Sequence, residues 1–568
     1  MANTGDLITR VYGGFRGVDF RGEDIDLRRS PDSLNMWRDY RETESIRTRP
    51  AMELVNSFTD TVYGVFFFKA GEAEACFVHA GEKLYMVRDG AKTELWTGLA
   101  RRRSYAFIYN NMWYFKDGAN YLRIDLRDNG YGVSRVDAFS YVPTTSIGRK
   151  PAGGGEIHED VNLLTGWRIN TFLADGESKE YFLDARDIDT GHTLEVTVND
   201  KKVTNFSVDH AAGKVTFTTA PSAPDTDGRD NVSIKFHKAV EGYADRILKC
   251  TLVELFDNRV FFSGNPDFPN TIWHSSLNDP TYCQDDDYYN EGLDSAAVTG
   301  LVAGNNALWV FREPTLTNTA IFYHTPSNDY EHGKVYPNTH SNISTGCVGG
   351  AINFNDDIVF FSERGMEGIS GEVTTEQVIA HRSSLVDRKL LSEDEYRNMV
   401  LVEWEGYLVA FLGNKAYLAD SRGVFNNVDH VEYEWFYWEL PHDVTCAVVK
   451  DGDLYVGTDG GVYSFTDKKS DVESYYVTPK DRFSAPSKLK TTNKRGCKAE
   501  ATGDVTLYAK TEKGDFELIG TYEGVEDYFV SRIKRKKWKD IQLKFHSKTR
   551  FSLEEVTLEC FVGGYVKR

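Results

Sequence analysis

At 568 residues the chain is long enough for roughly three or four domains, so core formation is not limited by size. A formal net charge of -20 and a pI near 5.2 exclude broad electrostatic binding to nucleic acid. With a mean hydropathy of -0.46 and no run approaching about 18 apolar residues, a helical membrane span is excluded too.

The first fifty residues are polar, rich in Arg and without periodicity. They predict an extended arm over 1–55 that crosses a surface, such as that of a neighbouring subunit. The opening Met-Ala-Asn-Thr-Gly-Asp has neither a basic region nor an apolar core, so a secretory signal is not expected. From residue 56 to about 145 short aromatic strands alternate with Gly, Asp and Asn. Ala106-Phe107-Ile108-Tyr109, Asn110-Asn111, Met112-Trp113-Tyr114-Phe115 is a hairpin whose turn needs positive φ, which Asn tolerates. The pattern recurs at Cys76-Phe77-Val78 with Leu84-Tyr85-Met86, at Val253 to Phe262, at Leu301 to Val310, around Asn355-Asp356-Asp357, around Glu405-Gly406, and at Val448 to Val456. Seven copies at propeller spacing predict an all-β chain built on a β-propeller of about seven blades, two before an insertion and five after it. The 13% aromatic content suits strands with one buried and one solvated face.

Between Pro143 and Gly155 the sequence loosens into a linker, and 156–242 alternates as a small inserted β-sandwich should. The propeller resumes over 243–480. Ser392 and Glu395 there have capping-box spacing for a short helix. Over 484–568 alternating strands predict a C-terminal β-sandwich. Seven cysteines without a CxxC pair read as reduced, buried, apolar residues.

No catalytic residue and no cofactor is assigned. His79, His274, His324 and His381 lie in or beside predicted strands and read as packing or surface residues. The clusters Arg101-Arg102-Arg103 and Lys534-Arg535-Lys536-Lys537 read as solvated faces. Asp285, Asp286 and Asp287, with Glu291 and Asp294 nearby, are weak metal-ligand candidates that lack the spacing of a calcium loop. A propeller glycosidase would need two paired carboxylates, and among 86 Asp and Glu residues no pair stands out.

The arm also carries a resemblance. Gly17-Val18-Asp19, then Arg29-Ser30-Pro31-Asp32-Ser33-Leu34-Asn35-Met36, Tyr40, and Ile46-Arg47-Thr48-Arg49-Pro50 resemble the N-terminus of tailed-bacteriophage virion proteins of the DNA-stabilisation, tail-hub or nozzle kind. The closing Phe561-Val562-Gly563-Gly564-Tyr565-Val566-Lys567 is similar to the terminal domain of that group. This chain departs by carrying Ala51 where Gly commonly follows Arg-Pro, and by its large insertion. The resemblance implies a non-enzymatic structural subunit of a virion tail or neck, assembled in the host cytoplasm as a ring of about six copies. It implies docking on a portal or adaptor and on other tail proteins, around genomic DNA held without sequence-specific contacts. Arg29, Ser30, Pro31, Asp32, Asn35, Arg47, Arg49 and Pro50 would be the interface residues of the arm, and the insertion would be the place for a host receptor. The alternative is a tail propeller that binds or cleaves carbohydrate at the host surface.

Overall fold

The computed structural model describes residues 6–565 except 23–24, 41–44, 71–72, 128–129, 227, 316–318, 330–332, 342, 371–377, 423–431, 469–470, 513 and 535. Seven four-stranded antiparallel sheets occur among the described residues, spanning 62–97, 105–135, 252–290, 298–340, 351–381, 400–439 and 446–466. They are blades 1 to 7 of a propeller. The turn chemistry behaves as the residue types require: Asn110 and Asn111 take φ of 48° and 59°, Asn305 and Asn306 53° and 59°, Asn355 and Asp356 50° and 63°.

The expectation of one solvated face fails for the central strands. In Asp357–Ser362, Ile358 and Phe360 pack toward blade 4, while Val359 and Phe361 pack toward blade 6. Each blade is sandwiched between two others, so strands such as Ala307–Arg312 are buried on both faces and read as apolar runs. Seven hydrophobic layers result, one between each pair of neighbouring blades. One of them lies between blades 7 and 1, where Cys446 and Val462 meet Val62, Val65 and Val78, so the ring is closed.

Blade 7 takes its fourth strand from the other end of the chain. Ala51–Ser57 pairs antiparallel with Gly461–Thr466, Ala51 opposite Thr466 and Ser57 opposite Gly461. The first five residues of Ala51–Ser57, expected to belong to the arm, are thus part of the outer strand that fastens the propeller shut.

The inserted domain begins at Thr144–Arg149, inside the stretch from Pro143 to Gly155 expected to be linker, and this strand runs parallel to Trp167–Phe172. A six-stranded and a three-stranded sheet enclose Phe172, Tyr181, Val196, Val215, Ile234 and Phe236.

The strands of the C-terminal unit form one hydrogen-bonded network of eleven. Its axis is Lys488–Thr511, which pairs first with Phe551–Tyr565 and then with Ile541–Ser547. Register shifts between Thr492 and Cys497 and between Glu500 and Ala501 mark where this strand bends. Four of the eleven strands come from the arm: Asp6–Gly13, Ser33–Leu34, Met36–Trp37 and Ile46–Thr48. Ser474–Val477, expected within the propeller, also joins this sheet.

The capping box does not form. A helical turn at Asp387–Leu390 precedes a 3₁₀ turn at Asp394–Asn398, and the Ser392 hydroxyl donates back to the Lys389 carbonyl at 2.7 Å. All seven cysteines are free thiols, six of them buried. No helix among the described residues is long and apolar enough to cross a membrane.

Candidate functional sites: the arm joint, the axial channel and an acidic triad

The arm residues singled out by sequence lie against their own chain. Gly17 passes so close to blade 6 that a Cβ would sit 1.7 Å from the Trp435 carbonyl oxygen, a contact only glycine permits. The Val18 amide donates to that carbonyl at 2.7 Å. Arg29 and Arg16 converge on Glu434, at 2.5 and 3.1 Å. Ser30 donates its hydroxyl to the Val477 carbonyl, and exposed Asp32 accepts from the Tyr475 hydroxyl at 2.9 Å. Pro31 is half-buried and Pro50 buried.

Asn35 occupies the left-handed region at φ 57° and ties three segments together. Its amide nitrogen donates to the Glu473 carbonyl at 2.8 Å, and its oxygen accepts from Arg49 Nε and from the Glu439 amide, both at 2.9 Å. Burial lowers the Arg49 guanidinium to about 10; carbonyls of Pro50 and Glu439 and the Asn35 oxygen receive its protons. Arg47 pairs with Asp39 and, at 3.2 Å, with Asp467. Beneath this lattice Trp37 is fully buried, stacked on Trp404 at 5.2 Å and meeting Trp438 edge-on at 5.8 Å. Interface lining was the sequence expectation for these residues; in this chain they form the joint between propeller and C-terminal sheet.

The propeller axis holds a cavity of about 400 Å³ lined by the first strand of every blade. Among the described residues its walls carry Glu254, and Glu395 stands at the adjoining mouth. Burial raises the Glu254 carboxyl to about 7, partly offset by the Ala303 and Leu255 amides. One mouth is bridged by Arg103, expected from sequence to be solvated. Its guanidinium donates to carbonyls of Asn398, Met399 and Thr445 at 2.9, 3.0 and 3.2 Å, reaching from blade 2 past blade 1 to the segments entering blades 6 and 7. Between pH 4.5 and 7 the folded protein binds a proton at Glu254 that the unfolded chain has released, so stability falls as pH rises through this window. Glu254→Gln is therefore expected to raise the melting temperature at pH 8 and to change it little at pH 4. Equal shifts at both pH values would count against the assignment.

The metal-ligand candidates are divided. Asp285 and Asp286 meet Asp160, with ligand oxygens within 4.8 Å of one another. With one oxygen from each, carbonyls or waters would have to complete the six to eight oxygens calcium takes. Asp287 turns away toward His274, 3.6 Å distant, and burial raises its carboxyl to about 7. Asp160 lies far upstream, beyond any sequence signal. Glu291 is also elsewhere, fully buried and 2.8 Å from His324 Nε2. Asp294 pairs with buried Arg312. Of the second basic cluster, Arg535 lies outside the described residues, as do Val566 and Lys567 of the closing motif.

No family model matches the chain, and no curated protein matches it. Among solved structures, it is similar to BamB from Moraxella catarrhalis at 10% identity and TM-score 0.33, over 73% of this chain and 97% of that one. It is also similar to the extracellular domain of a putative hybrid two-component system from B. thetaiotaomicron, at 10% identity and TM-score 0.25, over 83% and 45%. An exo-β-1,3-galactanase from Phanerochaete chrysosporium is similar at 8% identity and TM-score 0.22, over 93% and 99%. Likeness at these scores carries no argument about activity. The propeller is established by the seven sheets themselves.

Proposed function

We propose that the chain is a structural subunit of a tailed-bacteriophage connector or short tail, acting through its interfaces in a ring around the genome's exit path. The observation that carries this reading is the joint. Gly17, Arg29, Ser30, Asn35, Arg47 and Arg49, on which the resemblance to the tail-hub and nozzle group rests, form one lattice that fixes the propeller to the C-terminal sheet. A motif with a physical task is a stronger basis for kinship than the same letters in a loose tail.

Two further features support it. An axial cavity of about 400 Å³ is too small for duplex DNA, whose major groove by itself admits a whole α-helix about 10–12 Å across, so the genome's path would run between subunits and not through the propeller. A net charge of -20 would let DNA slide past such a ring rather than adhere.

Negative-stain microscopy of the purified protein, alone and with a portal–adaptor assembly, tests the proposal. Rings of about six copies with a central hole are expected. Monomers under both conditions would overturn it.

A further inference from the structure

The inserted domain leaves and rejoins the propeller between blades 2 and 3, and the crossing encloses a cleft of about 320 Å³. Small-molecule clefts begin at about 300 Å³. One wall belongs to the insertion, where Trp167 and His237 stand opposite each other on paired strands. The other is formed by 161–166 and the start of the helix Tyr243–Leu248.

Three aromatic rings gather here. Trp167 meets His192 and His237 edge-on at 5.3 and 5.1 Å, and the two imidazoles stack at 3.8 Å. The insertion's core is built without them, so core packing does not account for the cluster. Beside them Arg168 donates to the Lys238 carbonyl at 3.1 Å. Among the described residues no carboxylate lies within ion-pair distance of its guanidinium, and burial lowers its proton affinity.

The charges select the ligand class. A bare anion entering the cleft would meet Asp137 of the lining and, behind His237, Asp189. A cation would meet Arg168 and Lys238. An uncharged polyol suits both, because each hydroxyl donates to a carboxylate or accepts from a guanidinium or ammonium. The apolar C–H face of a sugar ring would cover an aromatic side chain. We propose that this cleft is a saccharide-binding site taking one or two neutral pyranose units. The proposal is independent of the connector reading, and either can fail without the other.

The test is a glycan microarray of the full-length protein, followed by titration calorimetry with the strongest neutral disaccharide, a glucuronate disaccharide and a ten-residue oligothymidylate. Saturable binding of a neutral sugar is expected. Trp167→Ala should weaken it about tenfold or more, and Lys238→Ala about threefold, while Ile157→Ser, 88% exposed and outside the cleft lining, should leave it unchanged. If Trp167→Ala lowers the melting temperature, Lys238→Ala decides. Absence of neutral-sugar binding, binding that survives the deciding substitution, or binding of the glucuronate or oligonucleotide alone would each overturn the proposal.

Discussion

Deleting residues 1–57 is expected to abolish the cooperative fold rather than trim a tail. The deletion removes the outer strand of blade 7 and four strands of the C-terminal sheet. It also strips Tyr12, Phe15, Met36, Trp37 and Ile46 from a core that continues into blades 6 and 7. Burying each such side chain contributes about 1.5–3 kcal/mol, so the five amount to on the order of 10 kcal/mol. That matches the whole stability of a typical domain, about 5–15 kcal/mol. The arm's partners are left with exposed apolar surface and unpaired strand edges, which promote aggregation. Thermal unfolding and limited proteolysis check this: the truncated chain should lose its sharp transition and be cut between blade 7 and Lys488. A transition within a few degrees of the full-length protein would refute the role of the arm as a structural clasp.

Trp37→Ala is expected to cost about 3–5 kcal/mol, among the largest single substitutions in the chain. Trp37 is 0% exposed, with Trp404, Tyr407 and Trp438 around it, and the Arg47 guanidinium lies 5.9 Å from its ring. Removing the indole leaves a void bounded by two other indoles, whose stiff rings cannot collapse into it. Leu7→Ala on the same arm should stay within about 0.5 kcal/mol, since Leu7 is 52% exposed. Denaturant midpoints of the two variants provide the comparison. Similar midpoints would mean that the arm docks through its edge strand, Asp6–Gly13, and not through the tryptophan cluster.

The sites divide by the range of the interactions that make them. Asp285 and Asp286 were legible because they are adjacent in sequence, but their companion Asp160 is brought to them by the path around the insertion. Arg103 looked like one member of a solvated run, since nothing local signals that its guanidinium spans a channel mouth to carbonyls 295 and more residues away. The cleft at the insertion carried no signal at all: Trp167, His192 and His237 occupy separate segments.

The amino-acid sequence by itself determined the hairpins, because a two-residue turn with positive φ is a local event that Asn, Asp and Gly report directly. Counting those turns yielded seven blades, and the change to alternation after Pro143 announced an inserted domain. What only the tertiary structure decided is how the ends are used. The arm's short strands show no periodicity, because most of them borrow their hydrogen bonds from strands more than 400 residues away, as Ser33 does from Tyr476 and Ile46 from Leu553, while Met36–Trp37 pairs within the arm with Ile46–Thr48. A partner at that distance leaves no local pattern. The closure of the ring by Ala51–Ser57, and the service of one arm to two domains, follow from chain topology and become visible only when the blades stand in a circle.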